Sequence, residues 1–348
     1  MKNRALVYLG NEKIELKDMP MPIIKKPTDV IIKMIKTTIC GTDLGIIKNK
    51  NPEVRTPRIL GHEGIGVVYA IGSEVKNFKP NDKVIISCIS KCQTCSMCAQ
   101  ELYSHCQEVE GGWKLGYMID GTQAQFVRIP FADNSLHLIN DETDLDLSVM
   151  LSDALPTGHE IGVLYGEVKK GDDVIIIGAG PIGLSALITA QQYEPKSITV
   201  LDLDENRLQI AKKMGATHAL LVDDKLTDHL ENTIGSTDAD VVIEAVGIPH
   251  TWALAEKIVR VGGRIAIVGV HGKPVEFNLQ DLWIKNIKIS TGLVNTNTTN
   301  ELYAKLPKIQ KQVSQLITHS FNFADICEAY QAFKDAKNSK AIKIIINF

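Results

Sequence analysis

Val174-Ile175-Ile176-Ile177 runs directly into Gly178-Ala179-Gly180-Pro181-Ile182-Gly183, and helical periodicity follows to Tyr193. An unbroken apolar run suits a strand buried on both faces. The spacing of the turn has a mechanical cause: Gly178 permits a tight bend, Gly180 lets backbone approach a ligand phosphate, and Gly183 lets the helix pack close. A helix start also offers unpaired N–H groups and the positive end of its dipole, so a pyrophosphate belongs at Gly178, Gly180, Pro181, Ile182 and Gly183. Asp202 ends the next apolar run, 198–202, 19 residues after Gly183. A carboxylate there accepts from both hydroxyls of an adenosine ribose and repels a 2′-phosphate, which favours NAD over NADP. Arg207 would soften that preference if it faced the ribose. The plain alternative is a glycine turn beside a solvated acid; strand, turn, helix and acid in register argue against it.

Outward from this stretch the texture stays βαβ. Helical periodicity at 205–214 and apolar runs at 241–244, 264–268 and 287–290 predict a parallel sheet of about six strands. Toward the N-terminus the pattern changes. Short apolar bursts at 5–9, 30–35, 64–71, 84–88 and 126–129, separated by clusters such as Lys79-Pro80-Asn81-Asp82, predict a compact antiparallel sheet or barrel. A chain of 348 residues exceeds one ordinary core. We therefore expect a first domain at 1–153, a dinucleotide-binding domain at 154–292, and a return of 293–348 to the first, with a strand at 342–346.

Composition narrows the class. Hydrophobic residues make up 44% and charged residues 23%, as in ordinary globular proteins. A net charge of -3 with no block of like charge argues against nucleic acid as a partner. The start of the chain lacks the pattern of an export signal and no apolar stretch is long enough for a bilayer, so the expectation is a cytoplasmic protein without a membrane partner. Seven cysteines, four of them between Cys92 and Cys106, do not form a disulfide pattern. In a reducing compartment such thiols read as metal ligands.

Cys92-x2-Cys95-x2-Cys98-x7-Cys106 places four thiols within 15 residues, enough for one loop to wrap a tetrahedral ion. Four protein ligands leave no open position, so this zinc site is structural. An iron–sulfur cluster is the rival, but the wide last step and Gln107 in place of Pro depart from the ferredoxin run. Cys40-Gly41-Thr42-Asp43 and Gly61-His62-Glu63 offer another thiol and an imidazole. The 21 residues between Cys40 and His62 encode no geometry, and a core cysteine beside a hydrogen-bonded histidine is an equal reading.

These segments, with the glycine turn, Asp202 and 264–270, stand in the order of the zinc-containing medium-chain alcohol dehydrogenases, and the chain resembles that family along nearly its whole length. The resemblance implies an α/β fold class, a GroES-like barrel catalytic domain joined to a Rossmann domain. It implies a catalytic zinc on Cys40, His62 and Asp153, with Glu63 behind them and able to enter the coordination sphere. Many relatives carry Cys at the position of Asp153; an N-cap is the alternative role for this Asp. Thr42 matches the hydroxyl that bonds the substrate oxygen. The usual histidine of the proton relay is Gly45 here, leaving an exit from Thr42 through the cofactor ribose to water or to a histidine such as His159.

By position, Thr157, Val268, Val270 and Leu293 flank the cofactor, Lys343 lies by the pyrophosphate or is solvated, and Trp113 lines the substrate pocket or is a core aromatic. The implied protein holds two zinc ions and NAD per chain and is a homotetramer, or a dimer. Its implied reaction is reversible hydride transfer between a small primary or secondary alcohol and NAD. Zinc lowers the pKa of bound water from about 16 to about 7, and a comparable shift in an alcohol, worth roughly 12 kcal/mol, would supply the alkoxide. Formaldehyde, polyol and threonine dehydrogenases follow the same logic. A non-catalytic NAD-binding redox sensor and a zinc-free reductase are the readings from other classes.

Overall fold

The structure, a computed structural model, describes residues 2–48, 51–140 and 142–348. The chain divides into two compact units, 1–153 with 295–306 and 317–348, and 154–294 with 307–316. The return to the first unit thus begins at 295 rather than 293. Leu293 and Val294 follow one residue after Lys288–Thr291, the last strand of the second unit's sheet, and group with that unit. Residues 307–316 also group with the second unit, which divides the helix Thr299–Ser314 between the two sets.

The first unit is organised around Val30–Thr38, which pairs antiparallel with Gly64–Ile71, Phe126–Ile129 and Lys343–Asn347. Lys83–Ile86 and then Leu136–Leu138 extend the sheet on one side, and Ile317–Asn322 runs parallel to Lys343–Asn347 on the other. Alternation explains the packing. Val30, Ile32 and Met34 point the same way, as period two requires, and meet Val84, Ile86, Val127 and Ile129 in one buried cluster. A second cluster joins Leu6, Ile39, Leu60 and Tyr330 to Ile344 and Ile346, so the last strand is core rather than trim. Each such side chain contributes about 1.5–3 kcal/mol on burial. The strands Lys13–Pro20 and Ile317–Asn322 were not read from sequence; both are half-buried edge strands with weak apolar patterns.

In the second unit six parallel strands lie in the order His218–Leu221, Ser197–Asp202, Asp173–Ile177, Ala239–Glu244, Val259–Ile267, Lys288–Thr291. The chain order reverses beside Asp173–Ile177, the switch point at which open α/β sheets bind ligands. Val174 to Ile176, Val200, Leu201 and Val241 to Ile243 are fully buried, as expected of a sheet covered on both faces. The helix expected to reach Tyr193 ends at Ala190 and tightens into a 3-10 turn, Gln191–Tyr193. Among the described residues, no helix is long and apolar enough to cross a membrane.

Candidate functional site

Two clusters of donor atoms lie in the first unit. In the mixed one, Cys40 follows the strand Val30–Thr38 and immediately precedes the helix Gly41–Ile47, while His62 and Glu63 immediately precede Gly64–Ile71. These two strands are paired, with Thr37 opposite Gly64, and that pairing brings thiol and imidazole together. Asp153 arrives from a third segment. Ser152 ties that segment to the barrel, its Oγ accepting from the Gly64 N–H at 3.1 Å. One donor atom from each of Cys40, His62, Glu63 and Asp153 lies within 4.8 Å of all the others.

The surroundings hold these side chains in place. Asp43 reaches back to accept from the Cys40 N–H at 2.9 Å, and its other oxygen lies 3.8 Å from His62 Nδ1. His62 Nε2 is 3.4 Å from Asp153 Oδ2 and 3.8 Å from Glu63 Oε1. Gln123 donates to Asp43 and accepts from the Tyr330 hydroxyl. Burial pushes the Asp43 carboxyl up. For His62 burial works the other way, against the imidazolium, yet Asp153, Cys40 and Asp43 outweigh it and raise its pKa well above the usual range. A pocket that attracts a proton so strongly attracts a divalent cation for the same reason. Glu63 Oε2 is buried without a hydrogen-bond partner, which fits a positive group held by this cluster.

Lys343 departs from expectation. It is buried rather than solvated. Its ammonium is buried on Glu63, with the Thr38 hydroxyl at 3.1 Å and the Ile39 carbonyl at 3.5 Å. Burial disfavours the charged lysine, but the Glu63 carboxylate more than compensates and raises its pKa. The strand Lys343–Asn347 runs beside Val30–Thr38, so the side chain points into the barrel. Asp43, Gln123 and Lys343 escaped sequence reading in these roles because each acts across the fold; only the three-residue step from Cys40 to Asp43 carries a local signal.

The second cluster is Cys92, Cys95, Cys98 and Cys106, again with all four sulfurs within 4.8 Å of one another. Cys92 Sγ lies 3.8 Å from Cys98 Sγ. A tetrahedron with about 2.3 Å from centre to corner has edges of about 3.8 Å, so the spacing fits zinc. The N–H groups of Gln107 and Cys98 both point at Cys95 Sγ at 3.5 Å and lower its pKa to about 6. Burial drives Cys98 the opposite way, to about 12. One thiolate is therefore prepared ahead of any metal.

In the second unit Gly178 has φ +102°, a conformation reserved in practice for glycine, and a Cβ on Gly183 would sit 1.9 Å from the Gly178 carbonyl. A Cβ on Gly180 would meet nothing within 4 Å, leaving open space in front of the helix Pro181–Ala190, where Ile182 is half-buried. Asp202 is fastened to this turn: Oδ2 accepts from the Ala179 N–H at 2.6 Å and Oδ1 from the Asp204 N–H at 2.9 Å. The turn and the acid thus fit a dinucleotide. Arg207 is half-buried on the first turn of Glu205–Lys213, Thr157 and Leu293 are half-buried, Val268 donates to the Glu244 carbonyl, and Val270 is 86% exposed. His159 is fully buried, with Nε2 2.9 Å from the Tyr193 hydroxyl. Trp113, in the first unit, is half-buried and stacks on Tyr117 at 4.6 Å.

Residues 26–141 match the alcohol dehydrogenase GroES-like domain family, and residues 181–311 match the zinc-binding dehydrogenase family. The chain is similar to the zinc-dependent alcohol dehydrogenase 2 from Streptococcus pneumoniae, at 46% identity over 99% of this chain and 98% of that one, with a TM-score of 0.94. It is 30% identical to an uncharacterised zinc-type alcohol dehydrogenase-like protein of Bacillus subtilis, over 99% of each chain. It is also 30% identical to an L-threonine 3-dehydrogenase of Shewanella baltica, over 97% of this chain and 98% of that one.

Proposed function

Because the chain belongs to the zinc-containing medium-chain alcohol dehydrogenase family, we propose that it is an NAD-dependent alcohol dehydrogenase acting on small primary or secondary alcohols. One observation carries the reading: donors from three separated segments, Cys40, His62 with Glu63, and Asp153, converge within 4.8 Å. A silent NAD-binding sensor or a zinc-free reductase has no need of that convergence.

In this reading Cys40, His62 and Asp153 hold zinc, with Glu63 beside them as an exchangeable carboxylate. When bound, zinc supplies the Lewis acidity that lets an alcohol shed its hydroxyl proton near neutral pH, and NAD supplies the hydride acceptor. The chain's own residues do the rest. Cys40 and Asp153 as anions balance the dication, Asp43 orients the imidazole from behind, and Lys343 keeps Glu63 from being a bare buried charge. Thr42, on the first turn of Gly41–Ile47, would bond the substrate hydroxyl and carry its proton away at Oγ1. With Gly45 in that helix where many relatives have a histidine, the Thr42 hydroxyl is the group of this segment that would hold and pass on the proton. Cys92, Cys95, Cys98 and Cys106 hold a second, structural zinc.

The glycine turn takes the pyrophosphate and Asp202 takes the ribose, with Thr157, Val268, Val270 and Leu293 along the cofactor and Trp113 toward the substrate. Clustered thiols that must stay reduced support a cytoplasmic setting. Phe277, Leu279, Trp283 and Ile284 expose large apolar side chains in the segment that leads into the edge strand Lys288–Thr291, which supports a homo-oligomer, a tetramer or a dimer. The deciding experiment is a panel of primary alcohols, secondary alcohols, polyols, threonine and aldehydes with NAD and NADP side by side. Turnover confined to small alcohols with NAD is expected, and preference for threonine or polyols would move the chain to that branch. Asp202→Ala should erode the preference for NAD by about 10–100-fold, the worth of roughly 1.5–3 kcal/mol in hydrogen bonds to a charged acceptor.

A further inference from the structure

Cys88 is a thiol to which the reading above gives no part. It follows the strand Lys83–Ile86, is 1% exposed, and places Sγ 3.5 Å from Asp153 Oδ1. Its backbone is fixed as well: the Cys88 N–H donates to the Ser152 carbonyl at 3.1 Å, and Ser152 is in turn bonded to Gly64 at the head of the strand that follows His62 and Glu63. The two oxygens of Asp153 are thereby given different neighbours. Oδ1 faces the thiol, while Oδ2 lies 3.4 Å from His62 Nε2, inside the donor cluster.

We propose that Cys88 is a positioning residue for the mixed metal site: its S–H donates to Asp153 Oδ1 and holds the carboxylate so that Oδ2 alone faces the ion. This rests on the reading of Cys40, His62 and Asp153 as a metal site. The rotation matters because a carboxylate free to turn can offer both oxygens to one cation, and the second oxygen would occupy the position a substrate needs. A weak S–H donor suffices where backbone and burial already fix its direction. Groups that orient metal ligands in this manner typically alter metal affinity by 10–100-fold.

The test uses the full chain and three variants, Cys88→Ala, Cys88→Ser and Asp153→Asn, with metal content, chelator competition and the visible spectrum of the cobalt(II)-substituted protein as readouts. Cys88→Ala should weaken the more labile of two metals by about tenfold and lower the intensity of its d–d bands, as four-coordination gives way to five. Cys88→Ser keeps a donor and should stay within about threefold of the parent. In the parent, an infrared S–H stretch that vanishes in Cys88→Ser should shift in Asp153→Asn; this readout survives even if Cys88→Ala fails to fold. Two metals in the parent with an unaltered Cys88→Ala variant overturn the inference alone, as does a Cys88→Ser variant that behaves like Cys88→Ala. A parent holding only its four-cysteine metal overturns the underlying reading, and the inference with it.

Discussion

The two donor clusters of the first unit are built by opposite routes. The four-cysteine lobe draws every ligand from one stretch of 15 residues, uses only thiols, and prepares Cys95 with N–H groups from the same loop. The mixed cluster draws on three stretches, uses sulfur, nitrogen and oxygen, and is braced by Asp43, Ser152 and Lys343. A local loop needs little beyond its own turns to present its ligands. The mixed cluster comes together only when strands far apart in sequence have paired.

Removing one ligand from each cluster tests that division most directly. His62→Ala should lower kcat/KM by at least about 10³-fold, since a catalytic metal contributes several kcal/mol, and should leave one metal per chain. Cys95→Ser should cost thermal stability while the folded fraction keeps its turnover. Equal losses of activity with both metals retained would break the comparison. Next in size is Lys343→Met, which leaves Glu63 charged, buried and unpaired at a cost of about 3–5 kcal/mol in a urea titration. The loss should be larger in metal-stripped protein, and Lys343→Met with Glu63→Gln should recover most of it.

The smallest effect separates titration of the barrel from protonation of metal ligands. Burial and the nearby Lys91 ammonium lower the pKa of His137 to about 4, and Asn300 Oδ1 accepts from its Nδ1 at 2.7 Å. Between pH 6.5 and about 4 the unfolded chain binds a proton there that the folded chain refuses, so stability falls as the pH falls through this window. The loss is at most about 3 kcal/mol. Acid titration of His137→Asn by circular dichroism should lack this component. An unchanged acid limb would mean that ligand protonation accounts for all of it.

What could be read from sequence follows the same local and non-local division. The glycine turn, its strand and its helix lie within one window, and the structure has them at Asp173–Ile177 and Pro181–Ala190. The four thiols announced themselves by spacing. Cys40, His62 and Asp153 did not, because nothing in their intervals encodes proximity; they came only through resemblance to a family. Lys343 shows the limit best. A lone lysine in an apolar run reads as a solvated end, yet its counter-ion lies 280 residues earlier. Cys88 read as part of a strand, since a thiol–carboxylate contact leaves no trace in local pattern.

The partnership of Lys343 with Glu63 also sets a timetable. At a synthesis rate of about 5–20 residues per second, roughly 15–60 s pass between the emergence of the carboxylate and that of the ammonium that neutralises it, a gap of 280 residues. The four-cysteine loop is whole within a few seconds of its first thiol and can capture an ion while translation continues. Until the final strand leaves the ribosome, by contrast, the barrel must either keep Glu63 in water or pair it with something else. The four thiols of the loop are therefore all in place before the ammonium that braces the mixed cluster has been synthesised.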